Sequence, residues 1–435
     1  MMDPSKLRPL QALDFKFRPL APHALAWSCD AELAVALDDA IQVFIPEYAK
    51  CKTVERAGAD EELRQPQFSI SLLASGFFRP EPGINRRLCA SAGVELPAAA
   101  AGGGDFTFGG AGSGLVTGSG AALGQTVRVE WSPNGLGHNL RPVLAALTTH
   151  GAVVVLGEHV DAGAGSSFIA SGPAVRSFKN WRLLWGLGAL LPVPDAGRRR
   201  GFREVDDKIV AFSWAGELLP GRALLAYAND NREVVLVAVQ LCAAAAPEGA
   251  ERREPGWRIK ELTRFDGGGP HEVVDPIDPD FMPCGSAFSL KWSPWHVSDE
   301  SCTATLAYIA SNYVGFRRVT VDGAWERGGD PVLRVDQADA TAICMCLGAD
   351  AFVEWEDAVW PDGEGGQIAR GIIATPFVPK PFQVDLCGRP GQPMARHSVL
   401  QCGTVHPSED EASTNPITGK HGLLLNGASF FVFFF

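Results

Sequence analysis

One glycine-rich stretch of the sequence could hold a phosphate-bearing cofactor. Backbone N–H groups in such a loop can meet a pyrophosphate when the loop joins a strand to a helix. Residues 97–124 (PAAAAGGGDFTFGGAGSGLVTGSGAALG) carry no Walker A lysine and have no strand–glycine–helix context. The stretch is almost entirely Gly, Ala and Ser, so it cannot bury enough apolar surface to offset its ordering entropy. We therefore predict a disordered insertion at 97–124 and no cofactor.

Two further stretches contain metal-binding residue types. Cys344 and Cys346 are two apart on a strand and thus share a face, but two more ligands at a familiar spacing are missing. The segment HEVVDPIDPDF lacks the central Gly and terminal Glu of an EF-hand loop; its candidate ligands are His271, Glu272, Asp275, Asp278 and Asp280. We favour buried apolar thiols and a solvated loop, and predict no metal site.

Neither the basic residues nor the nucleophilic residue types of the sequence predict a catalytic site. The densest basic run is a candidate contact patch for a phosphate backbone or an acidic partner, although such a run in an acidic chain is more often only a solvated loop. It comprises Arg198, Arg199, Arg200 and Arg203. His150 lies in a hairpin turn, TTHG. The sequence contains no G-x-S-x-G and no H-E-x-x-H motif, so we predict no catalytic residues.

Composition limits the classes of function. The chain has 435 residues, 46% of them hydrophobic, and a formal net charge of −12. An acidic chain is poorly suited to grip DNA by itself, because that affinity requires clustered Lys and Arg. Ten cysteines without a repeated CxxC framework indicate a reducing compartment. Neither a secretory signal nor a run of about 18 apolar residues is visible, so we expect no membrane association.

The elements that carry these residues are repeated hairpins. Each copy has a Trp, a polar loop, an apolar strand, a turn and a second apolar strand. Copies start at Trp27, Trp131, Trp214 and Trp292, and a degraded fifth begins at Trp355. One hairpin cannot bury both faces, whereas several around an axis can. We therefore predict an all-β, WD40-like β-propeller in which Trp27, Trp131, Trp214 and Trp292 are buried blade anchors with their indole N–H on a carbonyl or water.

Spacing predicts the number of blades. The first four Trp residues are 104, 83 and 78 residues apart, and a WD40-type blade takes about 40 to 45 residues. Each gap then fits two blades, with extra blades built on 67–78, 181–191 and 257–265. Low-complexity insertions at 97–124 and 243–256 account for the surplus. The count that follows is seven blades.

The copies resemble a known family. WSPNGLG (Trp131 to Gly137), followed by the strand-like segment that ends in VVVL, is similar to the N-terminal β-propeller of the delta-type subunit of transcription factor IIIC. LAWSCDAELAVALDDAIQVFIP (Leu25 to Pro46) is similar to the family's first blade. The resemblance covers roughly Ala24 to Ile373. It implies a propeller at 24–405, with 1–23 as an N-terminal segment or closing strand and 406–435 as a disordered or non-native tail.

The same resemblance implies a function. Family members belong to the complex that recognises transfer-RNA-type genes in the nucleus and helps to recruit RNA polymerase III. We expect a non-catalytic scaffold whose partners are other subunits of transcription factor IIIC, with DNA contacted only indirectly. Family members usually continue into a zinc-binding region, and we expect this chain to lack it. Two alternatives stay open: a histone acetyltransferase, an activity associated with animal members, and an unrelated WD40-like scaffold.

Overall fold

The computed structural model describes the chain in separate stretches. They are residues 23–37, 40–47, 67–74, 108–109, 115–116, 126–137, 140–149, 151–158, 181–188, 193–194, 202–203, 207–243, 255–269, 287–344, 347, 351–362, 366–375 and 379–387. The elements in these residues are β-strands. No helix in them has the length and hydropathy of a membrane-spanning segment.

Five antiparallel sheets form the blades, and we letter their strands A to D from the first strand outward. Blades 1 to 3 each have four strands. Blade 1 contains Leu25–Trp27 (β1), Leu33–Ala36 (β2), Ala40–Glu47 (β3) and Gln67–Ala74 (β4). After two short paired strands, Phe108–Gly109 (β5) and Leu115–Val116 (β6), blade 2 contains Thr126–Trp131 (β7), Leu144–Thr148 (β8), Ala152–Glu158 (β9) and Trp181–Gly188 (β10). A second short pair, Val193–Pro194 (β11) and Phe202–Arg203 (β12), precedes blade 3, which contains Ile209–Trp214 (β13), Arg222–Asn229 (β14), Glu233–Ala243 (β15) and Pro255–Asp266 (β16).

Blades 4 and 5 depart from this pattern. In blade 4 strand D is split into two pieces that both pair with strand C. The blade 4 strands are Ala287–Trp292 (β17), His296–Val297 (β18), Ser301–Ala310 (β19), Tyr313–Asp322 (β20), Val332–Val335 (β21) and Thr341–Cys344 (β22). Blade 5 has three strands in the described residues: Phe352–Pro361 (β23), Gln367–Ala374 (β24) and Pro379–Asp385 (β25).

The propeller prediction is confirmed, but the count of seven blades is wrong, because the described residues form five. The segments expected to start extra blades are instead D strands: 67–74 closes blade 1, 181–188 closes blade 2 and 255–266 closes blade 3. Long connections separate these strands from their own blades. Residues 48–66 intervene in blade 1 and 159–180 in blade 2. Spacing alone therefore counts the D strand of blades 1, 2 and 3 as an additional blade.

Packing between blades explains the nearly continuous apolar sequence of the central strands. In blade 3, Leu225 pairs with Val237 and both pack in the cluster shared with blades 1 and 2. The next pair, Leu224 and Ala238, points the other way and packs in the cluster shared with blade 4. Successive residues of a strand alternate between its two faces. Because both faces are covered, both sets of residues must be apolar or small.

The first described residue joins the two ends of the ring. The carbonyl of His23 accepts a hydrogen bond from the Val129 N–H at 3.2 Å, which ties it to strand A of blade 2. Its imidazole contacts Phe352, the first residue of β23 in blade 5, at 6.3 Å between ring centroids. The first, second and last blades thus meet at the axis.

Candidate functional site: the loop face of the ring

A tryptophan ends strand A of blades 1 to 4 and lies within strand A of blade 5, and in three cases it bonds to the preceding blade. The indole N–H of Trp131 donates to the Ala26 carbonyl at 3.1 Å. Trp292 donates to Ser213, and Trp355 donates to Lys291, each at 3.2 Å. In every case the acceptor is the residue before the preceding blade's own tryptophan. This repeated bond holds the ends of neighbouring A strands side by side on one face of the ring.

The two remaining tryptophans lack this bond. The indole nitrogens of Trp27 and Trp214 are buried without a hydrogen-bond partner among the described residues. Trp214 instead packs edge-on against Trp185, with 6.2 Å between ring centroids. Its backbone N–H and the Ser213 hydroxyl both donate to a carboxylate oxygen of Glu130, each at 3.1 Å. Blades 2 and 3 are therefore joined by a carboxylate rather than by an indole.

A serine after the tryptophan closes the A–B hairpin in blades 1, 2 and 4. The hydroxyl of Ser132 accepts the Val143 N–H at 2.9 Å, and that of Ser293 accepts the Thr305 N–H at 2.8 Å. Ser28 does the same for Glu32 at 3.0 Å. Blade 3 has Ala215 at this position and keeps only the main-chain bond to Leu224. The Trp-Ser pair is thus a structural unit that ends strand A and positions strand B.

The loop WSPNGLG satisfies its own backbone groups. The Gly135 N–H donates to the Leu140 carbonyl and the Gly137 N–H to the Arg141 carbonyl, both at 2.7 Å. These glycine N–H groups are directed at carbonyls of the same loop rather than at a ligand. Gly135 has a φ of 98°, a conformation that favours glycine. The loop is therefore closed by its own main-chain bonds, and Gly135 packs closely against Gly221.

We use the name loop face for the side of the ring where the A–B and C–D connections lie. In the described residues it comprises 28–32, 132–137, 140–143, 215–221, 293–300, 323–331 and the hairpin end 356–362 with 366. Antiparallel pairing places both kinds of connection at the same end of a blade. The repeated tryptophan bonds bring those ends of neighbouring blades together.

The loops of this face contact one another across blades. The Cys29 thiol of blade 1 donates to the Asn134 side chain of blade 2 at 2.9 Å. Trp295 of blade 4 donates from its indole to the Gly216 carbonyl of blade 3 at 3.0 Å. The Trp257 indole, at the start of strand D in blade 3, donates to Leu136 at 3.0 Å. These bonds make the loop face one connected surface.

Loop 323–331 of blade 4 is held by strands B, C and D of blade 3. The Arg222 guanidinium donates to the Trp325 carbonyl. The Gln240 side chain accepts the Gly328 N–H at 3.0 Å and donates to the Gly329 carbonyl. At the rim, both Arg258 and Lys260 form ion pairs with Asp330. This connection is thereby fixed to the neighbouring blade.

Charged side chains converge where the A strands meet. The Arg128 guanidinium contacts the Glu130 carboxylate at 3.4 Å and reaches across to the Leu290 carbonyl at 3.2 Å. Lys291 of blade 4 pairs with Glu354 of blade 5 at 3.3 Å. Burial raises the pKa of Glu354 despite the nearby Lys291 ammonium. Burial opposes the charge on Lys291, but the carboxylates of Glu354 and Glu130 outweigh it and raise the pKa of Lys291.

His23 completes this axial cluster. Burial, helped by the positive charges of Arg128 and Lys291, lowers the pKa of His23 from 6.5 to about 3. The imidazole is therefore neutral at physiological pH, where a histidine could otherwise carry a charge. The cluster balances two cations against two carboxylates and holds three different A strands together. Its arrangement is that of a structural ion-pair network.

A second buried polar cluster accounts for the split strand D of blade 4. The Asp339 carboxylate, between β21 and β22, accepts hydrogen bonds from the hydroxyls of Tyr308 and Tyr313. It also pairs with the Arg317 guanidinium at 2.7 Å. Burial, together with the adjacent Asp339, raises the pKa of both tyrosines. Asp339 thus leaves the sheet edge to satisfy buried groups, which interrupts the strand.

The structure places the candidate residues of the sequence at separate points. Trp131, Trp214 and Trp292 are buried, and Trp27 is half-buried. Arg203 lies in β12, whereas Arg198, Arg199 and Arg200 lie outside the described residues. Cys344 lies in β22, whereas Cys346, His150 and the acidic segment at 271–280 fall outside the described part. Within the insertion 97–124 the structure describes only the paired strands β5 and β6.

Sequence reasoning finds one set of residues that the structure brings together and misses another. Trp355, the start of the degraded fifth copy, makes the same bond as Trp131 and Trp292. The axial cluster has no counterpart among the sequence predictions. The sequence position that could indicate this cluster is the residue before each tryptophan. Because side chains alternate along a strand, this residue points to the opposite face from the tryptophan. Those residues are Ala26, Glu130, Ser213, Lys291 and Glu354.

Comparisons with solved structures give weak similarities. The β-propeller domain of Nup133 from Vanderwaltozyma polyspora is 10% identical, with a TM-score of 0.31, and the match covers 81% of this chain and 78% of that one. A chain of a mitotic checkpoint complex is 12% identical with a TM-score of 0.25, covering 84% and 85%. BBS1N in complex with ARL6DN is 9% identical with a TM-score of 0.21, covering 88% and 98%. TM-scores this low do not establish a shared fold.

Comparison with protein families gives a definite result. No curated protein matches the chain. The family model described as the transcription factor IIIC subunit delta β-propeller domain matches residues 27–422. The match begins at the first blade tryptophan and includes the five blades except the first two residues of β1, so it covers most of the chain. The chain therefore belongs to the family of transcription factor IIIC delta-subunit β-propellers.

Proposed function

We propose that this chain is a non-catalytic scaffold of the transcription factor IIIC complex, acting in the nucleus and supporting RNA polymerase III initiation at transfer-RNA-type genes. The observation that carries the proposal is the family match, which extends over residues 27–422. A connected loop face supports it, because binding residues are concentrated on loops that a rigid scaffold positions. Its partners are then other subunits of the complex.

The unrelated propeller and the acetyltransferase, the two alternatives to the scaffold, differ in what the family match says about them. Membership of the delta-subunit family removes the alternative of an unrelated WD40-like propeller. The acetyltransferase alternative stays open, because the glycine-rich stretch 97–124 is described only at β5 and β6. A titration with acetyl-CoA, followed by calorimetry, tests that alternative directly. Saturable binding that competes with CoA would favour the enzyme.

The proposed scaffold contacts DNA only through its partners. The chain carries a formal charge of −12, and non-specific DNA affinity comes from neutralising phosphates with Lys and Arg. We expect the isolated chain to bind promoter DNA weakly or not at all near physiological salt, while a complex that contains it binds well. A mobility-shift assay checks both. Tight, sequence-selective binding by the isolated chain would make it a direct promoter reader.

Affinity purification tests membership of the complex. A tagged copy of the chain is expressed in its own cells, and the proteins that purify with it are identified by mass spectrometry. We expect the other transcription factor IIIC subunits in near-equal amounts. Their absence at low and moderate salt would contradict the proposal.

A further inference from the structure

We propose that the loop face binds a basic polypeptide segment with apolar side chains, contributed by another subunit of the complex. This inference rests on the proposed scaffold function and names the surface and the chemistry of its partner. The surface is the loop face as defined above, on the A–B and C–D side of the ring.

Exposed apolar residues are concentrated on this face. In the described residues, five large hydrophobic side chains are exposed. Three of them are on the loop face, Leu140 (61% exposed), Val297 (68%) and Trp360 (41%), and a fourth, Val332 (64%), comes directly after loop 323–331. They belong to blades 2, 4 and 5. Exposed apolar side chains grouped on one side of a molecule mark protein-interaction sites more often than scattered ones do.

Leu140 is held exposed by its backbone. It has a φ of 61°, which is rare for a residue other than Gly, Asn or Asp. The bond from the Gly135 N–H to its carbonyl keeps that conformation. Backbone strain of this kind persists only where the surroundings enforce it, and it is frequent at binding sites. The loop thus maintains a large apolar side chain in solvent at a cost in stability.

The loop face is strongly acidic. Its exposed carboxylate residues are Asp30, Glu217, Asp299, Glu300, Glu326, Glu356, Asp357 and Asp362. Arg327 is the exposed basic residue among the described positions of the face. Acidic groups around apolar tips complement a partner with Lys or Arg around apolar side chains. Charge complementarity of this type raises the association rate and selects the partner.

The charge also decides against two other occupants. A second copy of the chain would place acidic face on acidic face in a twofold dimer, since such interfaces use the same patch on both copies. A nucleic acid would bring phosphates to the same carboxylates. A basic protein segment satisfies both the charge and the apolar residues. The contacts between loops keep the face in one arrangement, which reduces the ordering cost of binding.

Binding of the purified chain to the other transcription factor IIIC subunits tests the inference. The probes are those subunits, expressed together without this chain and then singly, and affinity is measured by biolayer interferometry at several salt concentrations. The apolar variant carries Leu140→Ser, Val297→Ser and Trp360→Ser. The charge variant carries Glu217→Lys, Asp299→Lys and Glu300→Lys. The matched control carries Asn231→Ser and Lys208→Ser, at exposed positions at the opposite end of the blades.

We expect the apolar variant to weaken binding by at least about tenfold, as loss of central apolar contacts does in other interfaces. The charge variant should also bind more weakly and lose most of the salt dependence, whereas the control should bind like the wild type. Cross-linking from residue 297 should then reach a Lys- or Arg-rich segment of the partner. Circular dichroism and melting curves establish that each variant is folded. Since the charge variant alters only exposed side chains, it keeps the test valid if the apolar variant unfolds.

The outcomes separate the two proposals. If the wild-type chain binds none of the subunits, the scaffold function is overturned. If it binds them and both loop-face variants bind equally well, the scaffold stands and the loop-face inference is overturned. Cross-links to an acidic or neutral segment, dimerisation through the loop face, or DNA binding lost in the charge variant would likewise overturn it.

Discussion

The two faces of the ring are held together in different ways. On the opposite side, which we call the turn face, the B–C connections 229–232 and 310–313 are tight turns, and in blade 2 the Gly151 N–H donates to the Thr148 carbonyl at 2.9 Å. Two of these turns bond within themselves: the Asn229 side chain accepts the Glu233 N–H at 2.9 Å, and the Thr148 hydroxyl accepts the Ala152 N–H at 3.3 Å. On the loop face, by contrast, Trp295 bonds to a residue 79 positions away and Trp257 to one 121 positions away.

This difference separates two kinds of surface. A turn that satisfies its own backbone can change without disturbing its neighbours, because its bonds are local. Loops that bond across blades move or unfold together, so a change in one affects the arrangement of the next. The loop face is therefore a single unit, whereas the side-chain bonds of the turn face stay within one turn, and one main-chain bond, from the Ile209 N–H to the Gly151 carbonyl, joins blades 2 and 3. The predictions that follow test this contrast.

The largest effect is expected under the loop face. Trp131→Ala removes a buried indole that packs edge-on against Trp181 at 5.8 Å and bonds to Ala26. We expect a loss of about 3 to 5 kcal/mol in the free energy of unfolding, measured by denaturant titration. Trp131→Phe keeps most of the packing and should lose about 1 to 2 kcal/mol, mainly from the hydrogen bond. A loss below about 1 kcal/mol for the alanine variant would show that this tryptophan does not anchor its blade.

The next effect concerns the contact between loops of blades 2 and 3. A Cβ atom at Gly135 would lie 2.3 Å from the Gly221 nitrogen, and the residue has positive φ. Gly135→Ala should therefore cost about 2 to 4 kcal/mol through overpacking and backbone strain together. Gly328 also has positive φ, 81°, but nothing lies within 4 Å of its added Cβ. Gly328→Ala should cost about 1 kcal/mol, from strain alone. Equal losses in thermal or denaturant unfolding would refute close packing between the loops.

A pH effect is expected at the axis between the faces. The pKa of His23 is about 3 in the folded chain against 6.5 for an ordinary histidine. Between these values the unfolded chain binds a proton that the folded chain does not. The stability that depends on neutral His23 is thus fully present above about pH 6.5 and falls by about 1.4 kcal/mol for each pH unit below it. Unfolding curves from pH 7.5 to 4.5 should show a smaller slope for His23→Gln. Identical slopes would contradict burial of this histidine.

The smallest effect is expected on the turn face. Asn231 is exposed in the B–C turn of blade 3, where the left-handed position is Arg232, with a φ of 66°. Asn231→Ala should change the free energy of unfolding by less than about 0.5 kcal/mol, as substitutions on exposed surfaces usually do. Hydrogen exchange of the loops 132–143 and 293–300 should also stay unchanged. A slower or faster exchange in those loops would show that the two faces are coupled.

Local features of the fold were predictable from sequence. Apolar strands around polar turns predict hairpins, and the recurrence of Trp-Ser predicts a ring of them. The bond from Ser132 to Val143 and its counterpart at Ser293 depend on residues only 11 and 12 positions apart. The family resemblance, read from WSPNGLG and the copies around it, is confirmed by the match to residues 27–422.

The blade count required the tertiary structure. The D strand of blade 2 begins at Trp181, beyond residues 159–180, and spacing alone assigned it to a blade of its own. Closing a longer loop costs little additional entropy, so a fourth strand can join its sheet from many sequence distances. Pairing of β10 with β9 is therefore decided by packing of both faces and not by proximity in sequence.

By itself, then, the sequence determined the strands, the Trp-Ser hairpins and the acidic charge, because each depends on residues close together or on composition. Only the tertiary structure decided which residues meet. Lys291 and Glu354 are brought together at the axis, and Leu140, Val297 and Trp360 come to lie on one side of the ring. No local sequence pattern encodes these long-range arrangements, because they follow from packing five sheets around a common axis. The surface proposed for partner binding is a product of that closure.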